Sequence, residues 1–169
     1  MDTFEILSQL CSAAGVSGAE GSAAEAAAKL LEEYGEVTLD NALGSVICKV
    51  GSWEDGKPVM LLDAHIDEIG MIVTYITEDG FLKISGCGGL DTRLLLAQQV
   101  TVYGREKLTG IVTSTPPHLE KDSSDAPELD SVFIDIGFTS RENAAKYVSL
   151  GDRVLIENKA ERLAGSRVT

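Results

Sequence analysis

Apolar residues recur at helical spacing from the start of the chain. Phe4, Leu7, Leu10, Cys11 and Ala14 share one face, Asp2 and Glu5 are spaced for a capping box, and Gly15 is a stop. The pattern predicts a first helix over 2–14. A turn over 15–21 follows, and Ser22 with Glu25 offers a second capping box for an alanine-rich helix running to Tyr34 and ending at Gly35. Short strands are predicted over 37–40 and 45–50, then a polar loop over 51–57. After Pro58 comes Val59-Met60-Leu61-Leu62, four consecutive large apolar residues that predict a strand buried on both faces. From Asp67 onward the period changes from helical to alternating. Residues 69–77 and 81–85 predict a hairpin about Glu78-Asp79-Gly80, 99–103 and 108–115 a second one, and 131–136 and 153–157 two further strands. Between these last two, 140–148 predicts a short helix with Ser140 as its N-cap.

The alternation of helices and strands in the first part and the run of strands in the second predict an α/β fold with an inserted β module. The expected division is 1–67 as the first part of an α/β domain, 68–160 as the insertion, and 161–169 as the return to an incomplete α/β domain. The sheet of that domain is expected to lack the strands that would cover its edge.

The 169 residues are 44% hydrophobic, enough for one good core or two small ones. No apolar run approaches the roughly 20 residues needed to cross a bilayer, and the acidic start is unlike a signal peptide, so a cytoplasmic protein is expected. A formal net charge of -13 repels nucleic acid and anionic membrane, which excludes both as expected partners. Part of that charge lies in 120–130, whose acids lack calcium-loop spacing and predict a solvated loop. Cys11, Cys48 and Cys87 are odd in number and form no CxxC pair, so buried, reduced thiols are expected.

The apolar run ends in Ala64-His65-Ile66-Asp67-Glu68. On a strand, residues i and i+2 point to one side, so His65 and Asp67 would face the same way at the mouth of the sheet, where α/β folds place their chemistry. A neutral imidazole oriented by a carboxylate suits metal binding. Taken alone, a histidine near a strand end is more often a hydrogen-bonded structural residue than a ligand, and His-x-Asp occurs freely by chance. Glu68 would point to the opposite side, which argues against a role as general base beside His65.

Residues 64–73, Ala-His-Ile-Asp-Glu-Ile-Gly-Met-Ile-Val, resemble the first metal motif of the glutamyl aminopeptidase family of dinuclear metallopeptidases, which includes the tetrahedral aminopeptidases. The resemblance extends through Gly15-Val16-Ser17-Gly18, Asp40-Asn41-Ala42-Leu43-Gly44, Gly110-Ile111-Val112, Pro116-Pro117-His118-Leu119 and Asp135-Ile136-Gly137. It implies an α/β catalytic domain interrupted by a small β-barrel that serves dimerisation. It also implies a metal-dependent aminopeptidase acting on peptides with two divalent ions, zinc or cobalt. Within that family pattern His65 is a metal ligand, and Asp67 is the catalytic-site carboxylate that holds the imidazole. His118 has no metal role and is expected to be structural or interfacial. The family's bridging aspartate, general-base glutamate and remaining ligands have no counterpart in these residues, so the chain is expected to be the N-terminal half of such an enzyme and inactive alone. Two rivals stand beside this expectation: a truncated, non-catalytic chain acting only in self-association, and a glycoside hydrolase of endoglucanase type. A glycosidase needs opposed carboxylates and aromatic platforms, and aromatic residues are only 5% here.

Overall fold

A computed structural model describes residues 2–40, 42–114, 127–156 and 159–169. His118 and most of the acidic 120–130 segment lie outside the described residues. The chain divides into two compact units, Met1–Glu68 with Asn158–Thr169, and Ile69–Glu157.

The first unit opens with helix α1 (Thr3–Cys11). The Asp2 N–H donates to Glu5 Oε2 at 3.1 Å, closing the capping box that the spacing predicts. Helix α2 (Gly21–Leu31) starts one residue before Ser22, with Glu20 at the N-cap and no side-chain cap bond, so the Ser22/Glu25 box does not form. Its buried face is Ala23, Ala24, Ala28 and Leu30. Strands β1 (Glu36–Leu39) and β2 (Val46–Lys49) form an antiparallel hairpin with Leu39 opposite Val46. A Cβ at Gly35 would sit 2.1 Å from the Lys49 carbonyl oxygen, so only glycine lets the chain leave α2 so close to the hairpin. Residues 159–169 fold back on themselves through an Arg162–Val168 bridge. Arg162 donates to the Asp2 carboxylate and lies over the Phe4 ring at 4.2 Å, which ties this segment to α1.

The strand predicted for the run after Pro58 is a correction. Residues 58–67 carry no strand, and Met60 and Leu62 are 85% and 87% exposed. Burial on both faces requires hydrogen-bonded neighbours and a layer above and below. Among the described residues the unit's only extended strands are β1 and β2, which pair with each other.

The second unit is a closed antiparallel barrel. Its strands are β3 (Gly70–Ile76), β4 (Leu82–Cys87), β5 (Gln99–Tyr103), β6 (Lys107–Ser114), β7 (Val132–Asp135) and β8 (Arg153–Ile156), in the order β3-β4-β7-β6-β5-β8. The two sequence-local hairpins, β3-β4 and β5-β6, are those the alternation predicts. Strand β8 closes the barrel by pairing with both β5 and β3, with Val154 opposite Val102 and Met71. Closure leaves no sheet edge to protect, and alternate residues point inward. Met71, Val73, Leu82, Val100, Val102, Val112, Ile134 and Val154 therefore make one core, with exposures of 1% or less. Gly110 faces this core, where a Cβ would approach Ile134 Cγ2 to 2.6 Å. Helix α3 (Arg141–Ala144) begins at Ser140, whose Oγ accepts from the Asn143 N–H, and places Ala144 in the core.

Candidate metal centre

His65 and Asp67 sit on the irregular segment that follows β2 in the first unit, and the strand geometry expected to align them is absent. A direct contact aligns them instead. His65 Nδ1 lies 3.1 Å from both Asp67 Oδ1 and the Asp67 carbonyl oxygen. An ionised carboxylate and a backbone carbonyl can only accept, so Nδ1–H is the donor to both, and the ring nitrogen left to offer a lone pair is Nε2. The imidazole is 86% exposed, and with Asp67, Glu20, Leu10 and Leu31 it lines an open cleft of about 620 Å³.

The second oxygen of Asp67 is also engaged, since Ser17 Oγ–H donates to Oδ2. The Ser17 hydrogen bond first, and the His65 hydrogen bond second, hold the Asp67 carboxyl below its ordinary value. Asp67 therefore stays ionised as an acceptor with both oxygens committed inside the protein. Glu68 is turned to a backbone role. Its Oε1 accepts the Gly15 N–H at 2.8 Å, and its own N–H donates to the Gly15 carbonyl at 2.8 Å. The segment is thus held by a short parallel pairing between Val16 and Glu68, with Val16 1% exposed beneath it.

Tested against a metal, the donor set fits at one position only. The His65 ring lines the cleft with Nδ1 committed to Asp67, which leaves Nε2 as the nitrogen that can face a metal ion. Among the described residues, however, no group of three or more His, Cys, Asp or Glu side chains is gathered to hold an ion. Tetrahedral zinc needs three or four ligands, so the remaining donors of any complete centre must come from elsewhere.

The sequence pattern missed the role of Ser17. Its motif is visible, but no periodicity links a loop serine to a carboxylate 50 positions away. The cysteines also differ from expectation: all three are free, but Cys11 is exposed and Cys48 and Cys87 are half-buried. Helix α1 has no fully buried residue, so its apolar face leaves Cys11 open to solvent.

Comparison with known proteins identifies the family and the fold. The family model described as M42 glutamyl aminopeptidase matches residues 44–169. The FrvX protein of Escherichia coli (strain K12) is 36% identical over 85% of this chain and 40% of its own length. Among solved structures, a TET aminopeptidase from the marine sediment archaeon Thaumarchaeota archaeon SCGC AB-539-E09 superposes with a TM-score of 0.86 at 32% identity, covering 96% of this chain and 46% of that one. The TET1 peptidase of Pyrococcus horikoshii, described as able to assemble into a tetrahedron or a large octahedral shell, gives 0.83 at 30% identity over 96% of this chain and 49% of that one. The chain thus spans less than half the length of these proteins. It belongs to the M42 glutamyl aminopeptidase family.

Proposed function

We propose that the whole protein is a metal-dependent aminopeptidase releasing N-terminal residues from peptides, in which His65 is a metal ligand and Asp67 fixes its ring. The observation that carries this is the Nδ1–Asp67 contact, which leaves Nε2 as the ring's donor in a cleft. When bound, a pair of divalent ions, zinc or cobalt, would supply a water of lowered pKa and polarise the scissile carbonyl. The chain's own contribution is to hold the imidazole tautomer, keep the ring at the cleft surface and leave Asp67 ionised behind it. The other ligands and the general base that such a centre needs are not gathered among the described residues. Family membership and the similarity to TET peptidases support this division of labour.

The barrel unit is assigned to self-association. Leu94 is 65% exposed and Leu96 and Ile111 are also open, although Leu95, in the same apolar cluster, is core. Light scattering of the whole protein at tens of micromolar is expected to show an oligomer, and a deletion of residues 70–158 to lose it. A monomer in both cases would remove the assignment.

For the site, His65→Ala in the whole protein is expected to abolish tight occupancy at one metal position and most of the turnover. Asp67→Asn should retain more metal and lose about 10- to 100-fold in affinity or activity. Equal metal content and turnover for wild type and His65→Ala would sink the assignment. Activity that persists through exhaustive chelation would sink the metal dependence itself.

A further inference from the structure

Ser17 reaches Asp67 across 50 residues of chain, and the backbone that brings them together is secured without its side chain. Gly15 and Glu68 exchange two hydrogen bonds at 2.8 Å, and Val16 is buried under the pairing. The hydroxyl reaches the carboxylate beside His65 and so has a role there as well as in its own loop.

Its partner shows what that role is. Asp67 Oδ1 faces His65 Nδ1, and Ser17 Oγ–H fills Oδ2. A carboxylate held at one oxygen can turn about its Cβ–Cγ bond and take the imidazole with it, because that terminal torsion is broad. Donors on both oxygens fix the plane. We infer that Ser17 is a positioning residue, which acts through Asp67 to fix the direction in which His65 presents Nε2 to a metal ion. A second donor also draws charge from the carboxylate and weakens it as a partner for the imidazole. The contribution of Ser17 is thus geometric, and it should appear in metal affinity rather than in the fold. The inference rests on the proposed role of His65 as a ligand.

Zinc affinity of the full-length protein, measured by competition with a chromogenic chelator, tests it. Ser17→Ala is expected to weaken zinc binding about tenfold, the lower end of what loss of an outer partner of a ligating histidine costs. Thermal unfolding should shift by no more than the small change expected for Asp67→Asn. Ser17→Thr should restore the affinity and Ser17→Val should not. These two variants share one shape and differ by the hydroxyl, so they carry the test even where the alanine protein does not fold. If Ser17 acts through Asp67, adding Ser17→Ala to Asp67→Asn should cost nothing further. Additive losses, or wild-type affinity in Ser17→Val, would overturn the inference while leaving His65 as a ligand. A wild-type protein that binds no zinc, or His65→Ala that binds it as wild type does, would overturn both.

Discussion

The barrel unit sends Met71, Leu82, Leu95, Val100, Val102, Val132, Ile134 and Val154 to essentially zero exposure, whereas the buried hydrophobics of the helical unit are Val16, Leu30 and three alanines. The difference follows from how each sheet ends. Six strands that close on themselves satisfy their own backbone and enclose their own core. A two-stranded hairpin with two helices cannot, and Val59 to Leu62 stay in solvent. Burying each of those side chains would contribute roughly 1.5–3 kcal/mol, which is large against the 5–15 kcal/mol of a typical domain. The barrel encloses its own core, whereas the unit that holds the proposed His65 site leaves its longest apolar run exposed.

Truncation at matched positions should expose that contrast most strongly. Leu82→Ala, at 0% exposure in the barrel, is expected to cost about 2–5 kcal/mol. Leu61→Ala, at 84% exposure, should change the stability of residues 1–169 by less than about 0.5 kcal/mol. Denaturant unfolding of both variants checks this. A comparable loss at Leu61 would mean that the run after Pro58 is packed in solution and that the contrast between the units is false.

A smaller effect is expected from adding an atom than from removing a side chain. At Gly110 a new Cβ meets Ile134 Cγ2 at 2.6 Å and Ile136 and Val100 methyls at 3.2 Å. Gly110→Ala should therefore destabilise the barrel by about 1–3 kcal/mol through overpacking, read from the same unfolding curves. The open face of Gly89, where nothing lies within 4 Å, gives the control, and Gly89→Ala should be close to neutral. Equal losses would show that the barrel interior is looser than its exposures indicate.

The same contrast explains what was legible in the sequence. Alternation over 69–77 and 81–85 led to β3 and β4, and Ser140 to the start of α3, because each depends on neighbours a few residues away. The run after Pro58 misled for the opposite reason. Hydrophobicity states that a segment should be covered, but only other strands can make it a strand, and they are not among the described residues. The site divides likewise. His65 and Asp67 are readable as a local pair, and their contact survives the loss of the strand. Ser17 is not readable, because the pairing of Gly15 with Glu68 that delivers it is a tertiary event. Glu20 took the start of α2 from Ser22 by a similar margin: the turn over 15–20 already commits the Gly18 N–H to Glu20 Oε1 at 2.5 Å.

The smallest expected effect is electrostatic and compares one carboxylate from each unit. In the barrel, Arg93 grips Asp91 through Nε at 2.9 Å and a terminal nitrogen at 2.6 Å, and its hydrogen bonds lower the Asp91 carboxyl to about 2. In the helical unit Ser17, then His65, lowers Asp67 from the ordinary 3.8. Both folded values are depressed, so each group's contribution is fully present above pH 3.8 and is lost as pH falls through the folded value. For Asp91 the window runs from 3.8 down to about 2. Both groups are exposed and exchange with solvent, so the contributions are small and salt should reduce that of the Asp91–Arg93 pair most, because it alone sets two full charges in contact. Thermal unfolding of wild type and Asp91→Asn should differ slightly at pH 7 and converge below pH 2 at low ionic strength. Asp67→Asn should also converge with wild type in acid, but its gap at pH 7 should resist salt, since a hydroxyl and not a cation is the principal donor. A gap for either variant that is as wide below pH 2 as at pH 7 would show that the carboxylate's charge is not what its partners hold.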